Sequence, residues 1–283
     1  MNICQEMDNT APGGIYLCQV DEHVSCGACC GLYNVPDPSR PALVSILGRR
    51  TTLFATVLRD VAAIETFGRQ MTAEVAGERP FPEFHHCPYL GLLGPKRSRV
   101  GCLLHPLADG NNGADLRGLS FYGGLACRTY FCPSCSRVPQ LIKNLVRRAA
   151  VDWYDYGLII TEADLLCAIF DLLQRKINNA AGHLRLTDDE VCLRVGQKLI
   201  DLKSGWPFQP NPATNRTNYF FEDGLYEKPV INYENTAAVG SRYDDIFRNL
   251  VSVFHTAEQL QRAEAMGDTL IDQLFSALFE PWM

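Results

Sequence analysis

The chain has 283 residues, 26 Lys plus Arg against 32 Asp plus Glu, a formal net charge of -6 and 47% hydrophobic residues. That length allows one large domain or two modest ones with a sizeable core, and the composition is that of an ordinary soluble globular protein. An acidic chain whose densest basic run is only Lys96 to Arg99 gives no clustered cations for phosphates, so nucleic acid is not an expected partner. No run of about eighteen apolar residues is present, so no membrane partner is expected either.

The first twenty residues lack a basic region followed by an apolar run, which gives no secretory signal. The expected address is the cytoplasm, where thiols stay reduced. Twelve Cys in that setting read as metal ligands or reactive thiols before they read as disulfides.

In chain order, residues 1–38 are short on periodicity and rich in Gly, Pro, Asp and Asn. Ser39 as a cap and Pro41 in the first turn open one short helix on "ALVSILG". Leu53, Phe54, Val57, Leu58, Val61 and Ile64 recur at helical spacing and predict a second, an inserted helical pair over about 40–77. Residues 78–136 are dominated by Gly, Pro, Cys and His, with no long periodic run. They read as loop-rich, core-poor chain needing something other than apolar packing to hold it.

Helices return after Val138. One stripe runs from Leu141 through Leu145 and Val146 to Trp153. Another helix opens at Thr161, with Asp164 three residues on as in a capping box. A third covers 188–202. In the Pro- and Asn-rich stretch 205–240, Asp223-Gly224 between aromatic runs predicts a β-hairpin. Two last helices fit the spacings of Ile246 to Phe254 and Leu270 to Leu278. The expected fold class is mainly α: a helical body carrying an irregular cysteine-rich segment and one or two short β-hairpins. The expected division is a cysteine-rich region, 1–136, and a helical region, 137–283.

Eight Cys fall in three groups: Cys26, Cys29 and Cys30; Cys87 and Cys102; Cys127, Cys132 and Cys135. Cys-x2-Cys on a glycine-bearing knuckle lets two thiolates turn toward one ion. If the chain reverses at Gly94-Pro95, Cys87 faces Cys102. Successive side chains diverge, so Cys29 and Cys30 both bind only if they serve different metals or one multinuclear centre. His23 stands two residues before Cys26; His85, His86 and His105 lie in the same segment. Cys192, on the apolar stripe of its helix, and Cys167, near the edge of its stripe, both read as core packing, while Cys4 and Cys18 are left open.

The ordered series "HxxCxxCC", "CPYL", "GCLLHP", "CRTYF" resembles the CxxCxxCC (YkgJ-type) cysteine-cluster family, described as zinc- or iron-chelating proteins. The resemblance covers residues 23–131. It implies chelation by Cys26, Cys29, Cys30, Cys87, Cys102 and Cys127, with His23 where the family has its first Cys and Arg128 after the last. The sequence departs from the pattern in the insertion between Cys102 and Cys127, where Arg117-Gly118 stands in place of Arg-Pro, and in the extra Cys132 and Cys135.

The expected ligands are therefore those six Cys, extended by Cys132, Cys135, His23 and His105. The expected ion is Zn2+, with four Cys or His per structural site, and iron or an iron-sulfur cluster is the alternative. Cys127-x4-Cys132-x2-Cys135 has a ferredoxin-like spacing, with Cys167 as a fourth candidate. "YFCPSCSRVPQLI" also resembles a glutaredoxin active-site segment, which would make Cys132 a nucleophile and Cys135 its resolving thiol. "DLRGLSFYGG", with Asp115, Arg117, Ser120 and Tyr122, reads as a connecting loop. No nucleotide-binding or hydrolase motif is present.

Overall fold

The computed structural model describes residues 7–75, 77–210, 219–221, 223–236 and 238–282; Cys4 lies outside them. The fold is mainly α, with two short antiparallel two-stranded sheets. No helix among the described residues is long and apolar enough to cross a membrane.

The helical pair forms with shifted boundaries. The helix α1 runs Arg40–Phe54 from an extended Ser39, passing through Gly48, and α2 runs Val61–Glu74 with Asp60 accepting from the Ala63 N–H. Leu53 and Phe54 thus end the first helix instead of opening the second. The Asp60 cap decides where the second begins, because its carboxylate satisfies an otherwise orphaned N–H.

Residues 78–136 differ from expectation. Their first half is not core-poor: Phe84, Tyr89, Leu90, Leu92, Val100, Leu103 and Leu104 are all buried. A hairpin of β1, Leu90–Leu93, and β2, Arg99–Cys102, inserts these residues against α1. Its register pairs Leu90 with Cys102 and Leu93 with Arg99. The reversal therefore occupies residues 94–98, not the Gly94-Pro95 pair, and Cys102 faces Leu90 instead of Cys87. Gly94 (φ 84°) and Arg97 (φ 50°) take the left-handed conformations of this longer turn. Exposure begins further on, at Leu107, Phe121 and Leu125.

After two short helices, α3 Gly123–Thr129 and α4 Ser134–Arg137, the helical body begins. The stripe expected from Leu141 to Trp153 is divided. The helix α5 covers Gln140–Ala149, and Asp152 then caps α6, Trp153–Ile160, by accepting from the Tyr154 and Asp155 N–H groups. Because α6 runs to Ile160, Thr161 terminates it, donating back to the Gly157 carbonyl. The next helix, α7 Ala163–Ile177, starts from Glu162 without a capping bond.

The helix α8, Glu190–Gly205, is capped by Asp189 and packs against α5, α6 and the long α10, Ala257–Leu278. Gly196 lets α8 approach α5: a Cβ there would stand 2.6 Å from the Ala149 Cβ. A short α9, Asp244–Asn249, lies on α7. The second sheet joins β3, Gly182–Leu184, to β4, Phe279–Pro281.

No strand forms among the described residues of 205–240. Tyr219, Phe220 and Phe221 instead turn their rings onto Phe84. Aromatic burial across the chain outcompetes a local two-stranded ribbon, which is marginal alone.

Two apolar cores result. One gathers α4 to α10 together with Ile15, Leu17 and Val24. The other gathers α1, α2 and the hairpin together with Trp153, Tyr154, Leu158 and Phe220. The chain thus crosses between cores in both directions. Cys26 and Cys132 are partly buried against both.

Candidate metal centre

A tight loop places the first cysteines. Gln19 and Ser25 form an antiparallel bridge, and the Cys26 N–H donates to the Cys18 carbonyl at 2.8 Å. The Asp21 carboxylate accepts from the His23 and Val24 N–H groups, each at 2.7 Å. Cys18 is thereby set beside Cys26, and His23 is carried to the half-exposed tip, its imidazole 3.4 Å from Glu22. A single helical turn, Ala28–Cys30, follows and ends at Gly31. The Cys87 N–H donates to the Cys30 carbonyl at 2.8 Å, which ties the second cysteine group to the first. Ser120 brings in the third: its hydroxyl is 3.0 Å from the Cys127 sulfur.

Backbone N–H groups of the residues just after them act on four of the sulfurs to lower the pKa. Ala28 serves Cys26, Tyr89 serves Cys87, Leu104 and His105 serve Cys102, and Ser134 and Cys135 serve Cys132. Such bonds favour the thiolate over the thiol.

Mutual electrostatics sort the sulfurs into two sets. Burial pushes the Cys18 and Cys26 thiols up, and in each case Cys29 and Cys132 push further. Cys30 is raised first by its hydrogen bond with Cys29, then by burial, then by Cys29, Cys87 and Cys102. Burial, then Cys102, raises Cys87 to about 12, with Cys127 contributing. Burial raises Cys102 to about 11, with Cys127 again contributing. One set is Cys18, Cys26, Cys29 and Cys132; the other is Cys30, Cys87, Cys102 and Cys127. The adjacent Cys29 and Cys30 join the two, because Cys30 is affected first by Cys29 and then by Cys87 and Cys102.

Cys135 is hydrogen-bonded to Cys132, which lowers Cys132 to about 7 against the opposing effect of burial. Cys135 itself is fully buried in the larger core. The Lys143 ammonium donates to the Cys135 carbonyl at 2.7 Å and to the Gly13 carbonyl at 3.0 Å.

The remaining candidates are placed as follows. His105 accepts the Leu107 N–H at Nδ1, 3.1 Å away, and is half-buried. Cys192 is a core residue as expected. Cys167 is not: it lies at the edge of α7 with its sulfur 3.6 Å from the Arg137 carbonyl, because its helical position turns it away from the stripe of Leu165, Leu166 and Ile169. The polar loop wraps the second sulfur set. Asp115 holds Arg117 with both carboxylate oxygens and pairs with Arg128, while Arg117 reaches the Cys127 carbonyl at 3.3 Å. A groove of about 450 Å³ opens beside this set, lined in part by His85, Pro88, Tyr89, Leu119 and Phe121.

All eleven described cysteines are free thiols. Among the described residues, no three His, Cys, Asp or Glu side chains stand in coordinating position. The cysteine segments are brought together by backbone hydrogen bonds, and their sulfurs do not form a closed tetrahedron. The donor chemistry fits a thiophilic divalent ion.

Two site residues were missed by sequence reasoning. Cys18 is brought in by the Asp21 turn, whose signal is an Asp followed by polar residues between two Cys. Arg50 looks like a surface residue of α1, yet it is 1% exposed and its guanidinium reaches the Cys87 carbonyl at 3.2 Å. No family model, no curated protein and no solved structure matches the chain.

Proposed function

We propose that this is a cytoplasmic metal-chelating protein that holds two neighbouring ions, one through Cys18, Cys26, Cys29 and Cys132 and one through Cys30, Cys87, Cys102 and Cys127. Zinc is the first choice of ion and iron the second. The observation that carries the reading is the convergence of the cysteine segments: the Cys26 N–H donates to the Cys18 carbonyl, the Cys87 N–H to the Cys30 carbonyl, and the Arg117 guanidinium to the Cys127 carbonyl. Four thiolates are the full complement of a structural zinc site. Cys29 and Cys30 lie on a 3-10 turn, where successive side chains point about 120° apart, which suits two adjacent ions. The resemblance to the CxxCxxCC family supports chelation and adds no further activity. The first set lies where the two apolar cores meet, so an ion there would cross-link them.

The test is metal analysis of native protein purified anaerobically, with its absorbance spectrum, alongside the Cys29→Ser and Cys30→Ser variants. Colourless wild-type protein with two zinc equivalents, and one equivalent in each variant, is the expected result. Brown protein with acid-labile sulfide moves the reading to an iron-sulfur electron-transfer or sensing protein. Metal-free, folded protein that reduces a disulfide substrate, and loses this with Cys132→Ser, replaces it by a thiol oxidoreductase working through Cys132 and Cys135.

A further inference from the structure

Arg50 is buried in α1 at 1% exposure, beside the second sulfur set. Its NH1 group lies 2.9 Å from His86 Nε2 and 3.2 Å from the Cys87 carbonyl, and its NH2 group is buried without a partner. The His86 Nδ1 faces the Gly31 carbonyl at 2.7 Å, so Nδ1 carries the proton and the ring meets Arg50 as a neutral acceptor. Among the described residues no carboxylate is within ion-pairing distance of Arg50. The carboxylate that acts on it, Glu74, is already gripped by Arg49 through two bonds of 3.0 and 2.9 Å.

A guanidinium does not escape burial by releasing its proton in proteins. An unpaired buried cation is strongly unfavourable, and natural chains retain one where an anion faces it. Burial lowers Arg50 to about 10, and negative charge on Cys87, where its thiol is ionised, opposes that shift. Four thiolates around a divalent ion carry a net charge of about two negative units, by the charges of the ligands themselves.

We propose that Arg50 is the built-in counter-ion of the centre formed by Cys30, Cys87, Cys102 and Cys127, which therefore takes its ion as an anionic tetrathiolate. The inference rests on the metal-chelating reading above. Arg50 is a positioning and charge-balancing residue, not a ligand. Through His86 and the Cys87 carbonyl it also presses the Gly31 turn against the second cysteine group, so charge and geometry have to be separated by experiment.

The experiment uses the full chain loaded with zinc: wild type, Arg50→Met, Arg50→Gln and Arg50→Lys. Metal is withdrawn by a competing chelator while far-UV circular dichroism follows the fold. In Arg50→Met or Arg50→Gln, one of two zinc equivalents is expected to be lost at least about tenfold more readily, from the loss of one unit charge close to the centre. The other equivalent should be unchanged, and Arg50→Lys should stay near wild type. Gln serves where Met fails to fold. A second readout is the potential of the iron-loaded protein: removing a positive charge disfavours the more negative reduced centre, so the neutral variants should have a lower potential, and Lys should restore it. Equal zinc retention in all four proteins overturns the proposal, as does an Arg50→Lys protein as leaky as Arg50→Met, which assigns Arg50 to geometry alone. Wild-type protein that binds no metal at all is a different failure, that of the chelating reading itself.

Discussion

Gly31 is the position where one methyl group should do most damage near the sulfurs. It ends the Cys29-Cys30 turn at φ 74°, a conformation that strains an L-residue by about 1–2 kcal/mol. An added Cβ would stand 2.2 Å from the His85 carbonyl oxygen and 2.9 Å from the His86 Cα. Both are backbone atoms, so relief requires moving the 85–86 segment, at the roughly 1–3 kcal/mol of an overpacked site. That movement pulls on the Cys87 N–H to Cys30 bond at 2.8 Å and the His86 to Gly31 bond at 2.7 Å. Gly31→Ala should therefore lose about 2–5 kcal/mol, the sum of strain and displacement. Urea unfolding followed by circular dichroism, with chelator present so that metal binding does not enter, measures it. Gly48→Ala is the control. It lies within α1 with nothing within 4 Å of a Cβ and should gain about 0.5–1 kcal/mol from reduced chain entropy and better helix propensity. A loss below about 1 kcal/mol at Gly31 would refute the reasoning, because neither the strain nor the clash would then be real.

Cys18→Ser should lose one metal equivalent while His23→Ala keeps both, read by metal analysis of the purified variants; the reverse pattern would return His23 to the ligand set. Glu162 is buried between Lys203 and Lys228. Glu162→Gln leaves two cations facing a neutral amide and should cost about 3–5 kcal/mol in thermal or urea unfolding, and a neutral result would mean that the lysines shed their charge in the fold. Burial, then Arg50, holds His86 at about 3. Between its ordinary value near 6.5 and that depressed value the unfolded chain takes up a proton the folded chain refuses. Stability is complete above about pH 6.5 and falls as pH drops toward 3, with a slope of up to about 1.4 kcal/mol per pH unit from this ring. His86→Gln should flatten the acid limb of the metal-free protein; an unaltered slope would place the proton uptake elsewhere.

The helices were legible because apolar spacing is a local property: the stripes through Ile142, Leu165, Val195 and Ile271 correspond to buried helix faces, whereas the one read from Ile246 to Phe254 outruns its helix, which ends at Asn249, and Val191 lies exposed. The breaks between them were less so. Asp152 and Asp60 are ordinary in composition, yet their carboxylates cap new helices, and a periodic pattern running across a cap looks continuous. Among the described residues the hairpin at Asp223-Gly224 did not form for the opposite reason, since a strong turn signal lost to aromatic packing on Phe84, more than a hundred positions away in the chain. The hairpin register was misjudged because the turn grew from two residues to five, and one slip moves every facing pair.

The sequence by itself determined the residue types: a mainly helical chain with twelve Cys, most of them grouped at intervals that suit metal ligation. Spacing along the backbone carries that information because neighbouring ligands must turn toward one point. Tertiary structure alone decided that Cys18 is set beside Cys26 while His23 is carried to a half-exposed tip, and that a buried arginine stands behind Cys87. Those outcomes depend on which distant segments are pressed together by the two apolar cores, and burial, not sequence distance, sets which charges have to be balanced.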